Sequence, residues 1–155
     1  LKAEAFSNAR GTVIDTFAFA DPARTLELNP AEKEDVIRTV TRAIRGEIAL
    51  DVLLKRRPKV KPDAHAMAAS RVSVDNKACE NATLIEMTAQ DRPGLLYDVS
   101  SIISKRGANI EVVLVDTEAK KAIDVFYVTR LGKKLADEEA KELADHISAV
   151  IRPSV

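Results

Sequence analysis

The chain has no tryptophan, two tyrosines and four phenylalanines, so aromatics make up only 4% of its 155 residues. Hydrophobic residues reach 46%, enough for a buried core, but that core has to be aliphatic. Cysteine is limited to Cys79, which excludes an internal disulfide; with two histidines far apart it makes no zinc set. A reduced, cytoplasmic setting is the simplest inference. Nor is there an excess of one charge sign, because 24 basic residues balance 24 acidic ones. Nucleic acids and anionic membranes both reward a basic surface, so neither is expected as a partner. Nothing approaches the roughly 18 consecutive apolar residues of a membrane-spanning helix, and no signal peptide opens the chain. The first residue is Leu1 rather than Met, inside what reads as a strand, so the chain is expected to be a fragment of something longer.

What is present is a repeat. Val13-Ile14-Asp15-Thr16-Phe17-Ala18-Phe19 aligns with Ala122-Ile123-Asp124-Val125-Phe126-Tyr127-Val128 at an offset of 109, and the same offset runs back without a gap to Leu1 opposite Ile110. In each copy an apolar strand meets a polar turn, Ser7 to Gly11 in the first and Asp116 to Lys121 in the second, and returns as a second strand. Each is a predicted β-hairpin.

A helix is predicted after each hairpin. In the first copy Asn29-Pro30-Ala31-Glu32 combines a capping residue, a proline at the first helical position and an early glutamate. Val36, Ile37, Val40 and Ile44 then share one face, and Gly46 weakens the helix before Ile48 and Val52 resume it. In the second copy Asp137 opens a helix with Ala140, Leu143, Ala144, Ile147, Val150 and Ile151 at helical spacing. Upstream of the second hairpin, residues 82–89 read as a strand rich in β-branched residues. Pro93 then opens a helix with the stripe Leu95, Leu96, Val99, Ile102 and Ile103, stopped by Gly107. The second unit is therefore β-α-β-β-α, and the first is the same unit without its opening strand and helix.

Between the copies, Lys55 to Pro62 is a charged stretch broken by two prolines. It reads as a solvated tether, with a small nucleic-acid contact as the alternative its charge allows. The expected domains are a truncated first copy at 1–54, a linker at 55–70 and a second copy at 71–155. Arg71 to Asn76 alternates like a strand and should pair antiparallel with 82–89, covering an exposed edge and giving the rotated order ββαββα. The bare two-stranded sheet of the first copy is unlikely to stand alone. Either a second chain, making a homodimer, or the neighbouring sheet should cover it.

A β-α-β-β-α unit with an aliphatic sheet is expected to pack both helices on one face, an α+β ferredoxin-like fold. Its strand-to-helix corner, Asp91-Arg92-Pro93-Gly94-Leu95-Leu96, suits a small zwitterion. The helix N-terminus offers N–H groups and partial positive charge to a carboxylate. Gly94 allows close backbone approach, Asp91 could receive an ammonium, and Asn109 offers both a donor and an acceptor. Equally, Pro-Gly could simply start a helix and Asn109 simply turn a corner.

Thr-Ala-Gln-Asp-Arg-Pro-Gly-Leu-Leu at 88–96, followed by Gly-Ala-Asn-Ile at 107–110, resembles the ACT domain, a regulatory module that binds amino acids and has the usual order βαββαβ. The resemblance covers 82–151 fully and 1–54 in part. With Ile-Asp-Val-Phe-Tyr-Val-Thr and the sister Val-Ile-Asp-Thr-Phe, it extends to the C-terminal tandem ACT region of the bifunctional PII uridylyltransferase family, enzymes that add and remove uridylyl groups on the nitrogen-signalling protein PII. The resemblance implies a glutamine sensor whose partners are the amino acid and the catalytic domains of a parent enzyme, with no cofactor of its own. It implies ligand contacts at Asp91, Arg92, Pro93, Gly94, Leu95 and Leu96, with Asn109 and Ile110 opposite. Arg92 should matter less if its side chain points to solvent.

Two departures stand beside it. The first copy shows no Asp-Arg-Pro-Gly loop of its own, so half of a paired site is missing. The chain also carries neither a Gly-Ser followed by an Asp-x-Asp pair for nucleotidyl transfer nor a His-Asp metal motif for hydrolysis. Asp145-His146 inverts the latter order on a helix and reads as a solvated face. No catalytic residue, no metal and no activity of its own are expected. The alternative function is a free-standing ACT-repeat protein acting through protein contacts without a bound amino acid.

Overall fold

The computed structural model describes residues 2–8, 10–55, 70–118 and 121–152. Its elements run β1 (Lys2–Ser7), β2 (Val13–Ala18), α1 (Thr25–Leu28), α2 (Pro30–Ile44), α3 (Leu50–Lys55), β3 (Arg71–Asp75), β4 (Thr83–Gln90), α4 (Leu95–Lys105), β5 (Asn109–Glu118), β6 (Lys121–Thr129) and α5 (Asp137–Ile151). They fall into two compact units, residues 1–18 with 60–155, and residues 19–59. Apart from Lys55 and Ser70, the linker expected at 55–70 lies outside the described residues. Among the described residues no helix is long and apolar enough to cross a membrane.

The first unit is an antiparallel sheet in the order β2-β1-β5-β6-β4-β3. The pairing of β3 with β4, Arg71 opposite Thr88 through Asp75 opposite Leu84, gives the rotated order ββαββα that the sequence suggested. Asp75 Oδ1 holds their turn by accepting from the N–H groups of Lys77 and Ala78, at 2.6 and 3.0 Å. Asn76 fastens the turn to the start of α5. Its amide donates to Leu135 O and Asp137 Oδ1, at 3.1 and 2.7 Å, while its Oδ1 accepts from Thr83 Oγ1 at 2.6 Å. The bare first hairpin joins the neighbouring sheet along one edge, where β1 pairs antiparallel with β5, while β2 is the outer strand and exposed throughout.

That pairing corrects the gap-free repeat. In the first hairpin Lys2 stands opposite Ala18 and Ser7 opposite Val13. In the second, Val112 stands opposite Tyr127 and Thr117 opposite Ala122. With β2 laid on β6 at the offset of 109, β1 falls on β5 at 110, so Lys2 matches Val112 and Ala3 matches Val113. The first copy's turn is one residue longer. Side-chain alternation is the physical reason, since a slip of one residue moves a whole strand to the other face. At 110 buried Ala3 matches buried Val113; at 109 it would match half-buried Val112 on the opposite face. Glu4 then stands opposite Leu114, its own counterpart, and the two hairpins meet about a local two-fold axis.

One sheet face carries the core. Ile85, Met87 and Ala89 of β4, Phe126 and Val128 of β6, Val113 and Val115 of β5, and Ala3 of β1 are all buried. Helix α4 buries Leu95, Val99 and Ile103 there, and α5 buries Ala140, Leu143, Ile147 and Ile151. Each large aliphatic removed from water contributes about 1.5–3 kcal/mol. The chain leaves α4 at Gly107, which has φ 71°; the N–H groups of Gly107 and Ala108 return to Ser104 O and Ile103 O, at 2.9 and 3.2 Å. Only a residue tolerating left-handed backbone closes this stop without strain.

Because Ala3 is 4% exposed and lies opposite Val115, Ala3→Glu would put an unpaired charge into the seam between β1 and β5. It should cost roughly 2 kcal/mol or more and release the first hairpin. Hydrogen exchange should then show lost amide protection in β1, with β4 and β6 still protected.

In the second unit, Asn29 Oδ1 caps α2 by accepting from Ala31 N–H at 3.2 Å, with Pro30 in the first turn. Gly46 ends this helix rather than merely weakening it, and α3 begins separately at Leu50. The apolar stripe Val36, Ile37, Val40 and Ile44 is exposed to solvent.

Candidate ligand-binding site

Strand β4 ends at Gln90 and the chain crosses Asp91-Arg92-Pro93-Gly94 before α4 begins at Leu95. Gly94 is the N-cap residue, with φ 86°, and no side chain caps the helix. A left-handed residue at this point turns the chain sharply onto the sheet and leaves no Cβ over the helix end. Leu95 N–H donates to Arg92 O at 3.1 Å and Asp98 N–H to Gly94 O at 2.9 Å. A helix start offers further N–H donors that have no partner within the helix. Asp91 and Pro93 are exposed, Arg92, Gly94 and Leu96 are half-buried, and Leu95 is buried as an anchor. The corner can therefore present backbone donors to an anion of about the size of a carboxylate.

Arg92 does not point freely to solvent. Its Nη2 lies 2.7 Å from Asp98 Oδ2 and reaches Val150 O at 3.5 Å. The side chain braces the corner against the first turn of α4 and the end of α5, so its role is positioning.

The expectation that Asn109 and Ile110 stand opposite the corner is not met within this sheet. The corner follows Gln90, which pairs with Lys121, which in turn pairs with Glu118. Asn109 pairs with Thr129 and Ile110 with Val128, at the other end of β6. The full length of β4, roughly 20 Å or more at ~3.3 Å per residue, separates the two groups. At its own end Asn109 serves Glu111, whose Oε1 accepts from Thr129 Oγ1 at 2.7 Å and Asn109 Nδ2 at 3.0 Å. Ser7 Oγ from the first hairpin adds a bond to Oε2 at 3.2 Å. These donors, Thr129 foremost and then Asn109, hold the Glu111 carboxyl below its usual range against the opposing effect of burial. Asp145 and His146 are exposed on α5, and His146 Nδ1 lies 2.6 Å from Glu142 O.

Residues 83–147 match the sequence pattern of the ACT domain. The α+β sheet with both helices on one face and the strand-to-helix corner occupy that same segment. These residues form an ACT domain. Over its whole length the chain is similar to the bifunctional uridylyltransferase/uridylyl-removing enzyme of Rhodospirillum rubrum, at 32% identity, covering 17% of that protein. It is also similar to the identically named proteins of a Bradyrhizobium species, at 32% over 83% of the chain, and of Novosphingobium aromaticivorans, at 29% over 84%. The chain spans less than a fifth of the length of these relatives. No solved structure matches it.

The ACT domain also holds a residue that sequence reading passed over as a site. Asp124 is 1% exposed and lies on the helix-covered face of β6, between Met87 of β4 and Val115 of β5. Among the described residues its Oδ1 has no hydrogen-bond partner. Burial first, and the nearby Asp91 charge second, push its carboxyl up to about 7. The signal was present in the sequence: in Ala122-Ile123-Asp124-Val125-Phe126 the acid takes the phase of Ala122 and Phe126, which is the buried phase.

Proposed function

We propose that this chain is the amino-acid-sensing regulatory region of a cytoplasmic PII uridylyltransferase/uridylyl-removing enzyme, with glutamine as its ligand. In this reading residues 1–54 are the later part of a first ACT domain and 71–155 are a second. Catalysis resides in other domains of the parent enzyme, whose uridylylation and deuridylylation of PII the chain regulates. The observation that carries the proposal is similarity along the entire chain to proteins named for both activities. It is supported by an uncapped helix start at Gly94 beside an exposed acid, Asp91. The helix N–H groups would hold the α-carboxylate, and the acidic side of the corner would take the ammonium.

Glutamine has about ten heavy atoms; at ~0.5 kcal/mol each they give sub-millimolar binding, a range suited to sensing a metabolite. Calorimetry against the twenty amino acids should show heat with glutamine in that range. Gly94→Leu should abolish it, because the side chain would project where the carboxylate sits. Left-handed backbone also costs a branched residue roughly 1–2 kcal/mol, so the variant's melting must be recorded alongside. Binding by a folded Gly94→Leu protein that equals wild type would refute the assignment.

A further inference from the structure

We propose that Asp124, beneath the β4–α4 corner, receives the ammonium group of the bound amino acid and makes the site selective for amino acids over their deaminated analogues. This inference rests on the proposed function, since it specifies the ligand chemistry of the same corner.

The placement follows from strand register. Asp124 shares its row with Met87 and Val115, and the next row on the same face toward the corner is Ala89, Ala122 and Thr117. That row lies about 7 Å further along the strands, two residues on, and is built only of small side chains. Beyond it β4 ends at Gln90 and the corner begins. On the sheet, only the small, buried side chains of Ala89 and Ala122 stand between the end of β4 and Asp124. A ligand whose carboxylate meets the helix N–H groups would turn its ammonium toward that carboxyl.

The electrostatics ask for a cation at this point. A buried carboxylate is normally paired, because leaving its charge unpaired away from water is costly. Here one oxygen is without a partner among the described residues. Among the described residues, Arg92 of the corner is paired with Asp98 at 2.7 Å, and Lys121 has the phase of the opposite sheet face. Asp91 adds a second negative charge from the corner itself. An ammonium is the group that answers both acids. A neutral or purely anionic ligand would leave Asp124 unpaired.

The test compares L-glutamine with 4-carbamoylbutanoate, which is glutamine without its amino group, by calorimetry on wild type, Asp124→Asn and Gly94→Leu, with thermal melts to confirm folding. Asparagine keeps the shape and removes the charge. Wild type should prefer glutamine by roughly 10- to 100-fold, the range of a charge-assisted hydrogen bond. Asp124→Asn should lose most of that preference by weakening glutamine alone, and Gly94→Leu should lose both ligands. A folded Asp124→Asn protein that keeps the wild-type preference would overturn the role of Asp124 while leaving the corner as the site. A wild-type protein that binds no amino acid at millimolar concentration would overturn the proposed function, and this inference with it.

Discussion

Phe126→Ala is expected to destabilise the ACT domain by about 3–5 kcal/mol, roughly a fifth or more of the stability of an ordinary domain. The chain's other phenylalanines, Phe6, Phe17 and Phe19, are all about half exposed. Phe126 is fully buried at the centre of the sheet, between Ile85 and Val113 in its row. In a core with so few aromatics its ring fills a volume that the surrounding aliphatic side chains have no means of closing once it is removed. The loss combines the removed apolar surface with the cavity left behind. Urea denaturation should show a large fall in midpoint with little change in slope. A change below ~1 kcal/mol would mean that this row is not the core.

The stability of the domain should fall as pH rises through the window set by Asp124. Its carboxyl titrates near 7 in the folded protein against an ordinary value of 3.8. The folded state therefore holds a proton that the unfolded chain releases above about pH 4, so stability declines between about 4 and 7 and levels off beyond. Three pH units at 1.36 kcal/mol each set the ceiling at about 4 kcal/mol. The strand neighbours Met87 and Val115 carry no charge, α4 turns apolar Leu95 and Val99 inward, and in the corner Arg92 is paired with Asp98 while Asp91 repels. Glu111 acts with the opposite sign. Its lowered carboxyl contributes stability that is present above its ordinary value and is lost as pH falls through the folded one. Denaturation at pH 4, 6 and 8 should show Asp124→Asn to be more stable than wild type at pH 8 and nearly equal to it at pH 4. Parallel curves at all three would show that Asp124 is not buried as an unpaired acid.

How much of this was legible in the sequence depended on the range of each signal. The hairpin of β3 and β4 was legible because two alternating segments lie close together around Lys77 to Asn81, and the need to cover an edge strand supplied the rest. The repeat was legible in β2 and β6, where Asp15 matches Asp124 and Phe17 matches Phe126. Its register was misread in β1 because a one-residue difference in a turn leaves local similarity intact while reversing every face. The corner at Asp91 to Leu96 is a contiguous motif and was found directly. Asn109 and Ile110 were placed opposite it because sequence order does not say at which end of a strand a residue finishes; the register to Thr129 and Val128 does. Arg92 and Asp124 were missed as brace and buried acid for a related reason. The partners of the first, Asp98 and Val150, and the burial of the second depend on how the helices pack.

The central claim is that an amino acid binds at the β4–α4 corner, and the most direct measurement is an amide-resolved NMR titration of the protein with L-glutamine. The account predicts saturable shifts at Gly94, Leu95, Leu96 and Tyr97 and on β6 around Asp124. Asn109, Glu111 and Thr129, at the far end of the same sheet, should stay unmoved, and Gly94→Leu should remove the response. Saturable shifts confined to the Asn109 end, or no shifts at millimolar glutamine, would contradict it.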